Sequence, residues 1–185
     1  MLVAVVGPSG AGKDTLMAGA RAQLAGDPRI RFACRVITRP AEAGGEDHVP
    51  ATEEEFARLR EAGGFALWWQ AHGLSYGIPV HQAAGIGQGF VIVANLSRGV
   101  LQDAATRFPL MVLEITAPAA VLAARLAERG REAAEDVARR LAREAALPPG
   151  LTVHQVMNDG PREQGIAQVV AALRSAANAV ATARR

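Results

Sequence analysis

The sequence predicts an α/β fold in which a parallel sheet is flanked by helices. Two observations carry this. Apolar, β-branched runs recur along the chain, at Val3 to Val6 and within "RFACRVIT", "GFVIVANLSR", "LMVLEIT" and "LTVHQVMN"; continuous runs of that kind suit strands buried on both faces. Segments with helical spacing separate most of these runs, and alternating strands and helices close most readily into a parallel sheet. At 185 residues one domain is expected, large enough to bury a core without cross-links.

The first strand, "LVAVV", runs into "GPSGAGKD" (Gly7 to Asp14) and then into the helix "DTLMAGARAQLA", stopped near Gly26 and Pro28. "RFACRVIT" reads as one strand and "AEAGGEDHVP" as loop. Thr52 and Glu55 have capping-box spacing ahead of the helix "EEEFARLREAG", which Gly63 and Gly64 end. Residues 65 to 80, "FALWWQAHGLSYGIPV", are aromatic and extended, and Trp68 and Trp69 are assigned to packing. "GFVIVANLSR" is a buried strand with a helix behind it to about Arg107. The strand "LMVLEIT" precedes the helix "PAAVLAARLAERG", with Pro118 in its first turn. There follow the helix "REAAEDVARRLAREAA", the turn "LPPG", the strand "LTVHQVMN" and a last helix from about Pro161, with an Ala-rich end expected to fray.

Composition excludes several classes. A net charge of +2 is too small to argue for a nucleic-acid partner. No apolar run approaches the roughly 18 residues a bilayer span requires, so no membrane partner is expected. "MLVAVVG" lacks a basic leader and reads as a strand, not a signal peptide. Cys34 is the only cysteine, which excludes an internal disulfide and a Cys-based metal site. A cytoplasmic protein is the simplest reading, and the apolar composition would allow a homodimer.

"GPSGAGKD" follows the phosphate-binding pattern G-x-x-x-x-G-K-[ST] at every place but the last. Strand, glycine loop and helix in succession are the context that gives this pattern a mechanism. Backbone N–H groups from Ser9 to Thr15 can point at phosphate oxygens, and the helix N-terminus adds partial positive charge. Gly7, Pro8, Ser9, Gly10, Ala11, Gly12, Lys13, Asp14 and Thr15 are therefore the candidate ATP-binding residues. Of 20 basic residues 19 are arginine, and the one lysine is Lys13, where a flexible ammonium is needed at the β/γ-phosphates.

Asp14 stands where a Ser or Thr hydroxyl would bind Mg²⁺. A carboxylate is itself a hard oxygen ligand, so Asp14 is the candidate Mg²⁺ ligand, direct or through water. The alternative is that Asp14 only caps the helix. Thr15 does not replace it, because one helical step turns a side chain by about 100°.

Further motifs carry a resemblance. "FALWWQAHGLSYG" resembles the guanylate kinase stretch F-[LI]-E-W-A-x-x-x-G-N-x-Y-G without a gap. "TRP" at Thr38 to Pro40, "GEDH" at Gly45 to His48, "RLAERGREAAEDVARRL" from Arg125 and "VMND" at Val156 to Asp159 resemble that family's T-T-R-x-P, G-x-D-Y, lid and V-x-N-D. The resemblance implies a P-loop kinase with an acceptor-binding insert (about 32–89) between core segments 1–31 and 90–185, and a helical lid (about 125–141). The chain departs from it where that family reads guanine, its glutamate falling on Leu67 and its aspartate on Asn95, and also at that family's phosphate-binding tyrosine of G-x-D-Y, which becomes His48. Losing the acceptor of a base-reading site costs about 1–3 kcal/mol or more, which argues against GMP.

The set "GPSGAGKD", "TRP", "GEDH", "YGIP" and "N-x-SR" resembles the ribose 1,5-bisphosphate phosphokinases, guanylate-kinase-like enzymes of phosphonate utilisation. That resemblance implies ATP-dependent transfer to the 1-phosphate of ribose 1,5-bisphosphate, giving 5-phosphoribosyl 1-diphosphate, with Mg²⁺. The sugar bisphosphate and ATP are then the partners. Lys13, Arg39, Arg125, Arg129 and Arg140 are the candidate catalytic cations. Arg35, Arg39, His48, His72, Tyr76, Asn95, Ser97 and Arg98 are the candidate acceptor-binding residues, and Asn158 a candidate adenine contact or a plain turn residue. Arg131, Arg139 and Arg143 are left to ion pairs on a wet helix face. A nucleoside monophosphate kinase and a non-catalytic guanylate-kinase-like module are the rival readings.

Overall fold

The computed structural model describes residues 1–41, 47–128 and 146–183. Its elements are β1 (Leu2–Val6), α1 (Lys13–Gln23), β2 (Ile30–Phe32), β3 (Val36–Ile37), β4 (Val49–Pro50), α2 (Glu53–Glu61), β5 (Phe65–Ala71), β6 (Leu74–Pro79) and α3 (Val80–Ala83). They continue with β7 (Val91–Asn95), a 3₁₀ turn at Arg98–Val100, α4 (Leu101–Arg107), β8 (Leu110–Thr116), α5 (Ala119–Glu128), β9 (Thr152–Met157) and α6 (Arg162–Thr182).

Five strands form one parallel sheet in the order β2-β7-β1-β8-β9. β1 lies at its centre and is fully buried over all five residues. Its side chains alternate between two cores, as the pleat requires. Val3 and Val5 pack with Leu16 and Ala20 of α1 and Val169 and Leu173 of α6. Leu2, Ala4 and Val6 pack with Leu67, Trp69 and Ile78 of the hairpin and Leu101 of α4. Each such large side chain contributes about 1.5–3 kcal/mol by burial. Contact between α1 and α6 is close at Gly19, where a Cβ would stand 2.3 Å from Ile166 Cδ1.

The second, four-stranded sheet has the order β4-β3-β6-β5. Here the single strand expected over "RFACRVIT" is corrected. Ile30–Phe32 pairs with β7 in the main sheet, and Val36–Ile37 pairs with β6 and β4 in the small one. Between them the Ala33 N–H still donates to the Val93 carbonyl (2.8 Å), but that of Cys34 donates to Gln82 Oε1 (2.6 Å). A side chain has replaced the strand partner, and the chain crosses from one sheet to the other. The expected loop to Pro50 likewise ends in the short strand β4, which lies beside β3.

The capping box is present in both directions: Glu55 N–H donates to Thr52 Oγ1 (3.1 Å) and Thr52 N–H to Glu55 Oε2 (2.8 Å). Of the two tryptophans assigned to packing, Trp69 is buried, whereas Trp68 on the opposite face of β5 is 42% exposed beside the Arg60 guanidinium (5.2 Å). Alternation along an edge strand accounts for the difference. The helix expected over residues 131–146 falls almost entirely outside the described residues, as do Arg129, Arg140 and Gly45.

Candidate active site

β1 ends at Val6, and Gly7 to Gly12 turn the chain into α1. Gly7 must be glycine: its φ is +148°, and a Cβ would stand 1.9 Å from the Ile115 carbonyl oxygen of β8. Gly10 (φ +86°) lies under α5, where a Cβ would come within 3.1 Å of Leu126 and 3.3 Å of the Leu122 carbonyl. Gly12 (φ 84°) occupies the N-cap of α1 in the left-handed region. The N–H groups of the first helical turn have no intrahelical carbonyl to bond, so the loop presents donors and dipole to the same space.

Lys13 opens α1, and its Nζ donates to the carbonyls of Gly7 (2.6 Å) and Pro8 (3.0 Å). It is folded over the loop it serves. Ser9, Asp14 and Thr15 are exposed, while Pro8 and Ala11 are buried. Asn95, at the carboxyl end of β7, donates from Nδ2 to Asp14 Oδ1 at 3.3 Å. Asp14, which departs from the general phosphate-loop pattern, and Asn95, which departs from the guanylate kinase pattern, are thus in contact.

Arg35 lies in the segment that crosses between the sheets and is 8% exposed. Its guanidinium carbon stands 4.9 Å from the Tyr76 ring and 5.7 Å from the Trp69 ring. Those rings are stacked at 5.4 Å and 7°. Burial pulls the guanidinium down to about 10, opposed by Tyr76 and Asp14, while the like charge of Arg39 adds to the lowering. Arg39 in turn meets His48, with Nη2 3.3 Å from Nδ1, and His48 Nε2 is 3.1 Å from the Arg39 carbonyl. Arg39 Nε and Arg125 Nη1 are buried with no hydrogen-bond partner among the described residues. A buried cationic donor of that kind suits an arriving anion.

Arg98 is held by Glu114 of β8 (Nη2 to Oε1, 2.9 Å), and Gln155 of β9 donates to the other carboxylate oxygen (2.9 Å). Ser97 precedes the 3₁₀ turn, and its carbonyl accepts from Val100. His72 stands apart, at the exposed tip of the β5–β6 hairpin. With φ 52° beside Gly73 at 72°, it forms a two-residue turn of the primed type. The tip is three residues, roughly 10 Å of strand, beyond the Trp69–Tyr76 pair. Asn158 is buried and bonds the loop itself: Nδ2 donates to the Ala11 carbonyl at 2.7 Å.

Leu67 is 2% exposed and packs in the core between the two sheets, beside Trp69 and Ile78. Its side chain presents no hydrogen-bond acceptor. Two polar residues of this region escaped sequence reasoning. Glu114 had a signal, as the one charge in the apolar run "LMVLEIT". Gln82 had none, because its partner is the Cys34 amide 48 residues away.

Fold and loop together define the class. A central strand feeding a glycine loop and helix in a parallel sheet, with a small mixed sheet alongside, gives this chain the α/β P-loop fold of guanylate kinase. Guanylate kinase from Anaplasma phagocytophilum matches 95% of this chain and 85% of its own with a TM-score of 0.65; at 17% identity the likeness is one of fold. No family model matches the chain. The ribose 1,5-bisphosphate phosphokinase PhnN of Ruegeria sp. (strain TM1040) is 50% identical over 178 residues, which are 94% of this chain and 92% of that protein. The bifunctional ribose 1,5-bisphosphokinase-thymidine phosphorylase of Cupriavidus pinatubonensis is 48% identical over 95% of this chain, which spans only 29% of that larger protein. The chain belongs to the ribose 1,5-bisphosphate phosphokinase family.

Proposed function

We propose that this chain transfers the γ-phosphoryl group of ATP to the 1-phosphate of ribose 1,5-bisphosphate, giving ADP and 5-phosphoribosyl 1-diphosphate. One observation supports the reading beyond family membership: the glycine loop carries Lys13, the buried Arg35 is close enough to feel the charge of Asp14, and Leu67 offers no base-reading group. A 1-phosphate oxygen attacks the γ-phosphorus, the bond to the β,γ-bridging oxygen breaks, and ADP leaves with that electron pair. The nucleophile is already an oxyanion, so no proton has to be removed first, and positioning with charge stabilisation is sufficient chemistry.

Each residue then has a stated part. The amides of the loop hold the ATP phosphates, and Lys13 exchanges its bonds to the Gly7 and Pro8 carbonyls for β- and γ-phosphate oxygens. Arg35 and Arg39 hold acceptor phosphate, with His48 setting the rotamer of Arg39. Arg125, on the helix that lies over Gly10, stabilises charge on the moving group; Arg129 and Arg140 are proposed from the resemblance alone. Arg98 is anchored by Glu114 and shapes the wall of the site.

Mg²⁺ fits this arrangement. Among the described residues no cluster of three His, Cys, Asp or Glu could hold a metal, and Mg²⁺ bound with a nucleotide typically uses one or two carboxylates plus phosphate oxygens and water. Asp14 offers that carboxylate, and the ion would neutralise phosphate charge during transfer.

The deciding experiment is an acceptor panel with ATP and Mg²⁺: ribose 1,5-bisphosphate, ribose 5-phosphate, GMP and other nucleoside monophosphates, with ADP and phosphorylated product both quantified. Transfer to the bisphosphate alone is expected. Preferred transfer to GMP would overturn the reading.

A further inference from the structure

Asn158 follows β9 and is 7% exposed. Its backbone N–H donates to the Thr116 carbonyl at 2.7 Å, which ties it to the end of β8. Its side-chain amide makes a buried 2.7 Å hydrogen bond to the Ala11 carbonyl, 147 residues earlier in the chain. The fit around that amide is close on both sides. A Cβ on Gly12 would lie 2.6 Å from Nδ2, and one on Gly165 of α6 would lie 3.1 Å from Oδ1. The accepting atom is a carbonyl, so the group facing it must donate. Asparagine supplies an NH₂ there, and an ionised carboxylate of the same shape does not.

The peptide joining Ala11 to Gly12 is planar and trans, so fixing the direction of its carbonyl fixes the N–H on its other edge. That N–H belongs to Gly12, the left-handed residue that caps α1 just before Lys13. Asn158 therefore turns the Gly12 N–H away from itself and ties the loop ahead of α1 to the ends of β8 and β9.

We propose that Asn158 is a positioning residue for the ATP phosphates, acting through the Ala11–Gly12 peptide and not by touching the base. The proposal rests on the reading of the loop as an ATP site. A residue that only stabilised the fold would change melting temperature and leave ligand affinity intact. A residue that touched adenine would change ATP binding and leave the binding of inorganic tripolyphosphate intact.

The test compares wild type with Asn158→Asp and Asn158→Ala, using dissociation constants for ATP and for inorganic tripolyphosphate at pH 8 and pH 6, each relative to wild type at the same pH. Both variants are expected to bind both ligands about tenfold more weakly at pH 8, or worse, because a buried carbonyl is left unpaired or faces a carboxylate. Burial against a carbonyl favours the protonated form of the carboxyl introduced by Asn158→Asp, which can then donate to the Ala11 carbonyl again, so the affinity of that variant relative to wild type is expected to rise from pH 8 to pH 6 while that of Asn158→Ala does not. Should Asn158→Asp fail to fold, parallel loss of both ligands in Asn158→Ala, with an unchanged KM for the sugar bisphosphate, carries the same weight. Unaltered affinities in folded variants, or loss confined to ATP, would overturn the proposal. Wild-type protein that bound neither ligand would overturn the reading of the loop, and this role with it.

Discussion

Burial holds the Arg35 guanidinium down at about 10 against the attraction of Tyr76 and Asp14. Desolvation therefore outweighs the partners it has within the chain, as is common for buried charges. Between pH 6 and 9 the group is protonated folded and unfolded, so its effect on stability is flat there. Above about pH 10 the folded state loses the proton first, the unfolded state binds more protons, and this group's contribution rises with pH. Arg35→Met should keep or raise stability, by about 1 kcal/mol, while transfer to the acceptor falls by orders of magnitude. Urea unfolding and steady-state rates measured side by side would check both halves. At Asp14 the expected outcome concerns metal: Asp14→Ala should raise the Mg²⁺ concentration needed for half-maximal rate. An unchanged Mg²⁺ dependence would leave Asp14 as a helix cap.

At the scale of elements, the loop is set by how closely β1, β8 and α5 approach it. A Cβ at Gly7 would overlap the backbone of β8, and backbone cannot step aside as a side-chain tip can. Gly7→Ala should cost about 2–3 kcal/mol in overlap and strain and weaken ATP binding at the same time, a combination that thermal melts with and without ATP would separate. The turn between α1 and β2 carries a different device. Arg29 bonds the Asp27 carboxylate at 2.7 Å and holds its carboxyl down to about 2. The stability this supplies is present above the ordinary carboxyl value of 3.8 and is lost as pH falls toward 2. Asp27→Asn should therefore be less stable than wild type at pH 6, and the gap in urea midpoints should close as the pH is lowered below about 4.

For the whole molecule, ligand binding and stability are linked. ATP at one hundred times its dissociation constant adds about 2.7 kcal/mol to the folded state, which for a chain of this size raises Tm by several degrees. Lys13→Ala should lose most of that rise, read as the difference between its own Tm with and without ATP. Among the described residues no helix is long and apolar enough to cross a membrane. The two sheets share one core between them, in which Leu67, Trp69 and Ile78 of the hairpin meet Leu2, Ala4 and Val6 of β1. Substitutions on the inner face of the hairpin therefore act on the main sheet as well as on the small one.

Much of this was legible in the sequence because its signals are local. Apolar runs at strand length, glycines ahead of a helix, the one lysine at the end of that loop and Thr52 three residues before Glu55 each act within a few residues of chain. By itself the sequence determined the parallel α/β class, the phosphate loop and, through its motifs, the kinase family. What it left open depends on residues far apart. "RFACRVIT" looks like one strand, yet it serves two sheets, because the Cys34 amide finds Gln82 and not a strand. Trp68 and Trp69 are the same residue type on opposite faces of one edge strand, and only the core on one side distinguishes them. Asn158 in "VMND" read equally as a base contact or a turn residue. Tertiary structure placed it against the Ala11 carbonyl, since only the assembled sheet brings the end of β9 beside the end of β1's loop.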